Sequence, residues 1–191
     1  MINFCSQCGN KMTQNIPTGD NRLRFTCIKC DFIHYENPKV IVGALPVFKK
    51  NNNENKILLC KRNIEPRFGF WTLPAGFLEN DESILDGAIR ETYEETLANI
   101  SNLDLYCIFN VIHAKQIHIF FRAEMLDTNF STTSESSEVA LFSLNDIPWG
   151  ELAFPTVHKA LKNFISDRES GNFHLEMSDI HKDYWFTMEE K

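Results

Sequence analysis

The sequence predicts an α/β chain preceded by a small metal-stapled ribbon. Three observations carry this: two Cys-x-x-Cys pairs in the first 30 residues, a series of apolar β-rich runs, and two helical patterns set among them. The 191 residues are 43% hydrophobic and 24% charged, which excludes collagen-like and wholly disordered chains. At about 100–200 residues per domain, the length accommodates one full core and a small added module. No apolar run approaches the roughly 18 residues that span a bilayer, and Met1-Ile2-Asn3-Phe4-Cys5 lacks a signal-peptide pattern. A cytoplasmic protein without membrane contact is therefore expected. The formal charge of −7 argues against a nucleic-acid backbone as partner.

The ribbon comes first. Cys5/Cys8 and Cys27/Cys30 have the spacing of a tetrahedral four-cysteine zinc site, each short pair aiming two thiolates at one centre. Gly9 supplies the backbone freedom for the first tight turn. Four protein ligands leave no open position for a substrate water, so this zinc is structural and catalysis must be sought elsewhere. Redox pairing is the alternative, and a chain without a secretion signal disfavours it. Cys60 and Cys107 fall in apolar runs, as small buried thiols do. The domains expected are a ribbon over residues 1–36, a main domain over 37–170, and a polar tail over 171–191 to which no role is assigned.

Within the main domain, Val40–Phe48 and Lys56–Arg62 read as strands of a hairpin around the polar tip 49–55, whose Asn-rich part is 51–53. Further strands are expected at Asp104–Val111, Ile117–Ala123 and Val139–Phe142, and Ser131–Ser137 reads as a mobile loop. Pro155-Thr156 opens a helix running to about Arg168, with Val157, Ala160, Leu161 and Phe164 at helical spacing.

The chemistry is concentrated in Leu73–Ala98. Asp81 can cap a helix beginning near Glu82. At about 100° per residue, Leu85, Ala88, Ile89, Thr92 and Thr96 form the side expected to pack on the sheet, while Glu91, Glu94 and Glu95 share a neighbouring side. Carboxylates at such spacing repel one another, a cost that divalent cations among them would offset. The bland alternative is a solvated acidic helix face.

Gly76, Glu82, Arg90, Glu91, Glu94 and Glu95 stand at the spacing G-x5-E-x7-R-E-x-x-E-E. This resembles the signature of the Nudix hydrolases. One position departs from it, because the glycine usual two residues after the last glutamate is Leu97 here, which questions how the helix ends. The resemblance implies an α/β/α sandwich around a mixed sheet and cleavage of a nucleoside diphosphate linked to another moiety. It implies Mg²⁺ or Mn²⁺ held by Glu91, Glu94, Glu95 and the Gly76 carbonyl, with Arg90 orienting the glutamates and Glu82 supporting the loop–helix geometry. Hard cations prefer such oxygen ligands. For the general base the family offers the first glutamate of the metal set or an acid from a later loop; Glu135 and Glu138 are the candidates for the latter.

A four-cysteine ribbon joined to this domain narrows the family. One branch hydrolyses NADH and NAD-capped RNA and carries Ser-Gln-Pro-Trp-Pro-Phe-Pro-x-Ser downstream of the signature. This chain has Phe109-Asn110-Val111-Ile112-His113-Ala114 instead. It looks more like a second group acting on ADP-ribose or FAD, the resemblance lying in Tyr35–Lys39, Ile64–Phe77 and Ile147–Thr156. The expected product is AMP. Arg62 and Arg67 are candidate phosphate contacts; Phe68, Phe70, Trp71, Trp149 and Phe154 offer planar faces for a base or flavin. No histidine shows metal spacing. Two alternatives stay open: an NADH or NAD-cap pyrophosphatase, and a non-catalytic nucleotide-sensing module whose ribbon binds nucleic acid or protein. A homodimer with the ribbon at its contact is also expected.

Overall fold

A computed structural model describes residues 2–49 and 55–184. The chain divides into two compact units, Met1–Pro38 and Lys39–Lys191. The first is a three-stranded antiparallel sheet of β1 (Met12–Asn15), β2 (Arg24–Cys27) and β3 (Ile33–His34). Its two knuckles turn alike. Gly9 (φ +70°) and Asp31 (φ +56°) sit in the left-handed region, and their N–H groups donate to the Cys5 and Cys27 carbonyls. The sequence marks the first turn by its glycine; the second uses Asp, one of the side chains that tolerates this conformation.

The second unit is built on a mixed eight-stranded sheet. Its strands are β4 (Lys39–Lys49), β5 (Asn55–Arg62), β6 (Trp71–Thr72), β7 (Ala75–Phe77), β8 (Ile100–Val111), β9 (Gln116–Met125), β10 (Ser136–Ser143) and β11 (Glu176–Ile180). The main order is β10-β5-β4-β9-β8-β11, with β6 paired to β5 and β7 to β4. β4 runs parallel to β9 and β11 parallel to β8; the other pairings are antiparallel. Both expected hairpins, β4–β5 and β8–β9, are present, and the Asn-rich tip 51–53 lies outside the described residues.

Alternation along β4 shows how the layers form. Val42 and Ala44 point to one face, where they meet Ala88 and Ala98 at helix α1 (Ile84–Thr96) and its end. Leu45 and Val47 point to the other, into a core with Val157, Ala160, Leu161 and Phe164 of helix α2 (Pro155–Ser170). One helix therefore lies on each face, giving the α/β/α sandwich.

Four local expectations are corrected. The α1 cap is Ser83, whose Oγ accepts from Asp86 N at 3.1 Å and sits 2.6 Å from the Asp86 carboxylate, rather than Asp81. Leu85 and Ile89 are exposed; the buried arc is Gly87, Ala88, Glu91, Thr92, Glu95 and Thr96, because two carboxylates are drawn inward. Ser136 and Ser137, read as loop, begin β10. Within the unassigned tail, Glu176–Ile180 forms β11 at the sheet edge. Leu97 ends α1 in the left-handed conformation (φ +56°) that glycine favours, its N–H donating to the Tyr93 carbonyl.

Candidate active site

β7 and α1 bring the signature together. Gly76 lies beside β4, paired with Val42, and a Cβ added to it would fall inside the Glu91 carboxylate. Only glycine lets that carboxylate lie on the backbone here. Gly87, one turn before Glu91 on the helix, allows a similar close approach, since a Cβ there would meet Val42 at 2.8 Å and Glu82 at 2.9 Å. The helix thereby packs close enough to the sheet to aim Glu91 and Glu95 at β7, the strand carrying Gly76.

Arg90 organises the acids. Its Nε and Nη2 donate to the two Glu82 oxygens at 2.9 and 2.6 Å, Nη1 donates to Glu91 at 2.6 Å and Glu94 at 2.9 Å, and Nη2 also reaches the Phe77 carbonyl at 3.1 Å. The fork fits carboxylates bidentately. These hydrogen bonds, with one from Glu79 N, hold the Glu82 carboxyl down at about 2. Glu91 is pulled the other way: burial raises its pKa, against the opposing Arg90 charge. Burial also raises Glu95, to about 7, against hydrogen bonds from Ala75 N at 3.0 Å and the Cys60 thiol at 3.5 Å. Cys60 itself is buried, and desolvation keeps it a thiol. Arg90 is one cation among four carboxylates, so the cluster has anionic charge left for a further cation. Glu91, Glu94, Glu95 and the Gly76 carbonyl are the hard oxygen donors that fit Mg²⁺ or Mn²⁺.

These groups border a cleft of about 630 Å³. Its lining includes Gly76, Arg90, Glu91, Glu94 and Glu95 on the acidic side, and Ile41, Val111, Gln116, His118, Phe120 and Ile180 on the sheet side. Glu135 borders it, whereas Glu138 is absent from the lining and forms a 2.8 Å ion pair with Lys61. Arg62 enters from β5, with Nε donating to the Pro66 carbonyl at 2.8 Å and its guanidinium 5.2 Å from the Phe154 ring centre. Thus Arg62 and Phe154 reach the cleft. Arg67 lies over the Phe70 ring, Phe68 is exposed, and none of the three is in the lining. Trp71 is a core residue, 6% exposed, edge-on to Phe142; Trp149 packs against His158. An aromatic ring in a sequence does not announce whether it faces core or cleft.

Sequence reasoning assigns no functional role to His118. It lies in the floor with its Nε2 3.0 Å from Gln116 Oε1, and burial lowers its pKa to about 4. The available signal is the alternation Gln116-Ile117-His118-Ile119-Phe120, which puts two polar residues on the same sheet face as a core phenylalanine.

The four ribbon cysteines form the one metal-like cluster found among the described residues, their sulfurs all within 4.8 Å of one another. Cys5 and Cys30 are 3.7 Å apart, and Cys8 and Cys27 are 3.4 Å apart. A tetrahedron with Zn–S of about 2.3 Å has edges of about 3.8 Å, so the site fits zinc. Backbone N–H groups of Gln7 and Lys29 point at the Cys5 and Cys27 sulfurs at 3.3 and 3.4 Å. No described helix is long and apolar enough to cross a membrane.

Comparison with known proteins agrees with this geometry. A family model described as "NUDIX domain" matches residues 38–167, and one described as "Nudix N-terminal" matches 3–36. A crystal structure of a NUDIX hydrolase from Nitrosomonas europaea is 45% identical with a TM-score of 0.85, covering 94% of this chain and all of that one. The "NAD-capped RNA hydrolase NudC" of Haemophilus influenzae is 27% identical over 187 residues, 98% of this chain and 52% of the relative. The "ADP-ribose pyrophosphatase" of Methanocaldococcus jannaschii is 29% identical over 135 residues, 69% of this chain and 75% of the relative. The chain spans about half the length of the NudC relatives it matches. With the signature helix, the sandwich and the ribbon all in place, the chain belongs to the Nudix hydrolase family and carries that family's N-terminal zinc-ribbon module.

Proposed function

We propose that this chain hydrolyses the diphosphate of an adenosine 5′-diphosphate conjugate, with ADP-ribose or FAD as substrate and AMP as one product. One observation carries the reading: Glu91, Glu94, Glu95 and Gly76 border a cleft whose remaining walls are largely apolar. A diphosphate fits the acidic side and its organic substituents fit the apolar walls.

Bound Mg²⁺ or Mn²⁺ supplies charge neutralisation and an acidified water. The chain's own residues do the rest. Arg90 fixes the Glu91 and Glu94 oxygens, so little reorganisation is needed as charge develops. Glu95 is anchored by Ala75 N. Arg62 brings a cation to the cleft for a phosphate oxygen. Glu135 is the better placed of the two later acids to take the proton of the attacking water, since Glu138 is engaged by Lys61 outside the lining. The ribbon contributes stability or a contact between copies of the chain, in a homodimer.

An NADH or NAD-cap substrate is the second reading, and the names of the NudC relatives favour it. Against it, Phe109–Ala114, which stands where the NADH-type element would be, includes three residues of the cleft wall, Val111, His113 and Ala114. A panel of ADP-ribose, FAD, NADH and NAD-capped RNA with Mg²⁺ and Mn²⁺, read by product analysis, tests both readings. AMP from ADP-ribose or FAD at higher kcat/KM supports the first; preference for NADH or capped RNA replaces it with the second. No cleavage of any of them refutes both readings.

A further inference from the structure

We infer that Gln116 and His118 form the recognition site for the adenine base of the substrate, an inference that rests on the ADP-conjugate reading above. The two side chains project from one face of β9, two residues apart, and hydrogen-bond to each other at 3.0 Å. The sheet residues lining the cleft with them include the apolar Ile41, Val111, Phe120 and Ile180, while His113 and Thr156 bring further uncharged polar groups to the lining. Nothing in the diphosphate chemistry needs them. An uncharged planar group with a polar edge does.

Their hydrogen-bonding capacity fits such an edge. When the imidazole Nε2–H donates to Gln116 Oε1, His118 Nδ1 is an acceptor and the Gln116 amide has N–H donors left over. The pair thus keeps one acceptor, on the ring, and one donor, on the amide, each available to a ligand. Adenine presents the complement, an N6–H donor next to N1 or N7. If the amide and ring exchange roles, donor and acceptor swap and the match persists. Burial keeps the imidazole neutral, with its pKa near 4, so the site carries no charge that would draw a phosphate in place of the base.

The sheet register places the pair at the correct reach. His118 is opposite Ile41, and Ile41 is opposite Phe77, the neighbour of Gly76. Two strand spacings, about 10 Å, therefore separate His118 from the strand carrying Gly76. That is the scale of a nucleotide from its phosphorus to the far edge of its base. A phosphate at the glutamates puts the base over Gln116 and His118. The β11 strand completes this end, because Ile180, paired with Val111, closes the floor.

AMP and ribose 5-phosphate, which differ only by the base at the anomeric position, make the test. Their affinities are measured by calorimetry with Mg²⁺ present, for wild type, Gln116→Leu and His118→Phe, beside turnover of ADP-ribose and FAD. Wild type should bind AMP at least ~10-fold more tightly than ribose 5-phosphate, and each variant should lose about tenfold of that ratio while its ribose 5-phosphate affinity holds. In the wild type alone, the ¹⁵N ring signals of His118 should move with AMP and stay put with ribose 5-phosphate. An unchanged ratio in both variants, or a His118 ring indifferent to AMP, overturns the base site while leaving diphosphate cleavage standing. A wild type that cleaves neither conjugate and binds neither ligand instead overturns the functional reading, and this inference with it.

Discussion

Acid should unfold the second unit partly through His118. The residue is 8% exposed, and burial holds its pKa at about 4 against 6.5 for a free imidazole. Below pH 6.5 the unfolded chain takes up a proton that the folded chain refuses. The sign follows: this contribution is complete above about pH 6.5, is lost progressively as the pH falls, and levels off below about pH 4. At about 1.4 kcal/mol per pH unit the interval amounts to about 3 kcal/mol. The groups facing the ring are Gln116, Phe120 and the cleft, with no charged side chain among the described residues hydrogen-bonded to it. His118→Phe removes the titrating group. Urea unfolding of both proteins between pH 7.5 and 4.5, followed by tryptophan fluorescence, isolates the effect, since Trp71 packs in the core of the second unit and Trp149 against it. His158, likewise lowered to about 4, and the carboxylates act in both proteins and cancel in the difference. Relative to wild type, the variant should gain about 2 kcal/mol between pH 6.5 and 4.5. Parallel pH profiles would refute the buried neutral imidazole.

Gly76→Ala should reduce turnover at least ~100-fold by displacing the Glu91 carboxylate, with the melting temperature little changed; near-normal kcat would contradict the close approach. Leu97→Gly should stabilise the second unit by about 1 kcal/mol in urea unfolding, because it relieves a left-handed residue at the end of α1, and a destabilised variant would mean that side-chain packing outweighs the strain. Stripping zinc with a strong chelator should abolish amide-exchange protection in residues 2–38 while tryptophan fluorescence stays native, since the second unit has its own core. Protection that survives chelation would show that the ribbon stands without metal.

Much of this molecule is legible in its sequence because the legible features are local. Cysteine spacing encodes the ribbon, and β-rich apolar runs separated by short polar stretches encode β4, β5, β8 and β9. The signature encodes Arg90's hydrogen bonds, since residues 82, 90, 91 and 94 meet within one loop and helix. What the sequence hides depends on tertiary packing. Leu85 and Ile89 suggest the buried face of α1, yet Glu91 and Glu95 rotate that face toward Gly76. β11 has a single buried residue, Ile180, among polar neighbours, and its pairing with β8 comes from more than 60 residues away. Phe70, Trp71, Trp149 and Phe154 read in the sequence either as stacking faces or as core aromatics; the fold packs Trp71 and Trp149 against other rings and sets Phe70 under Arg67, while Phe154 reaches the cleft.

The central claim is that Glu91, Glu94, Glu95 and the Gly76 carbonyl hold divalent cations at the cleft. Crystals soaked with Mn²⁺ and a non-hydrolysable ADP-ribose analogue, examined by anomalous scattering, test it most directly. Peaks within about 2.3 Å of those oxygens, bridging to the analogue's phosphates and missing in Glu94→Gln, are expected. Manganese bound elsewhere, or a diphosphate seated away from α1, would contradict the account.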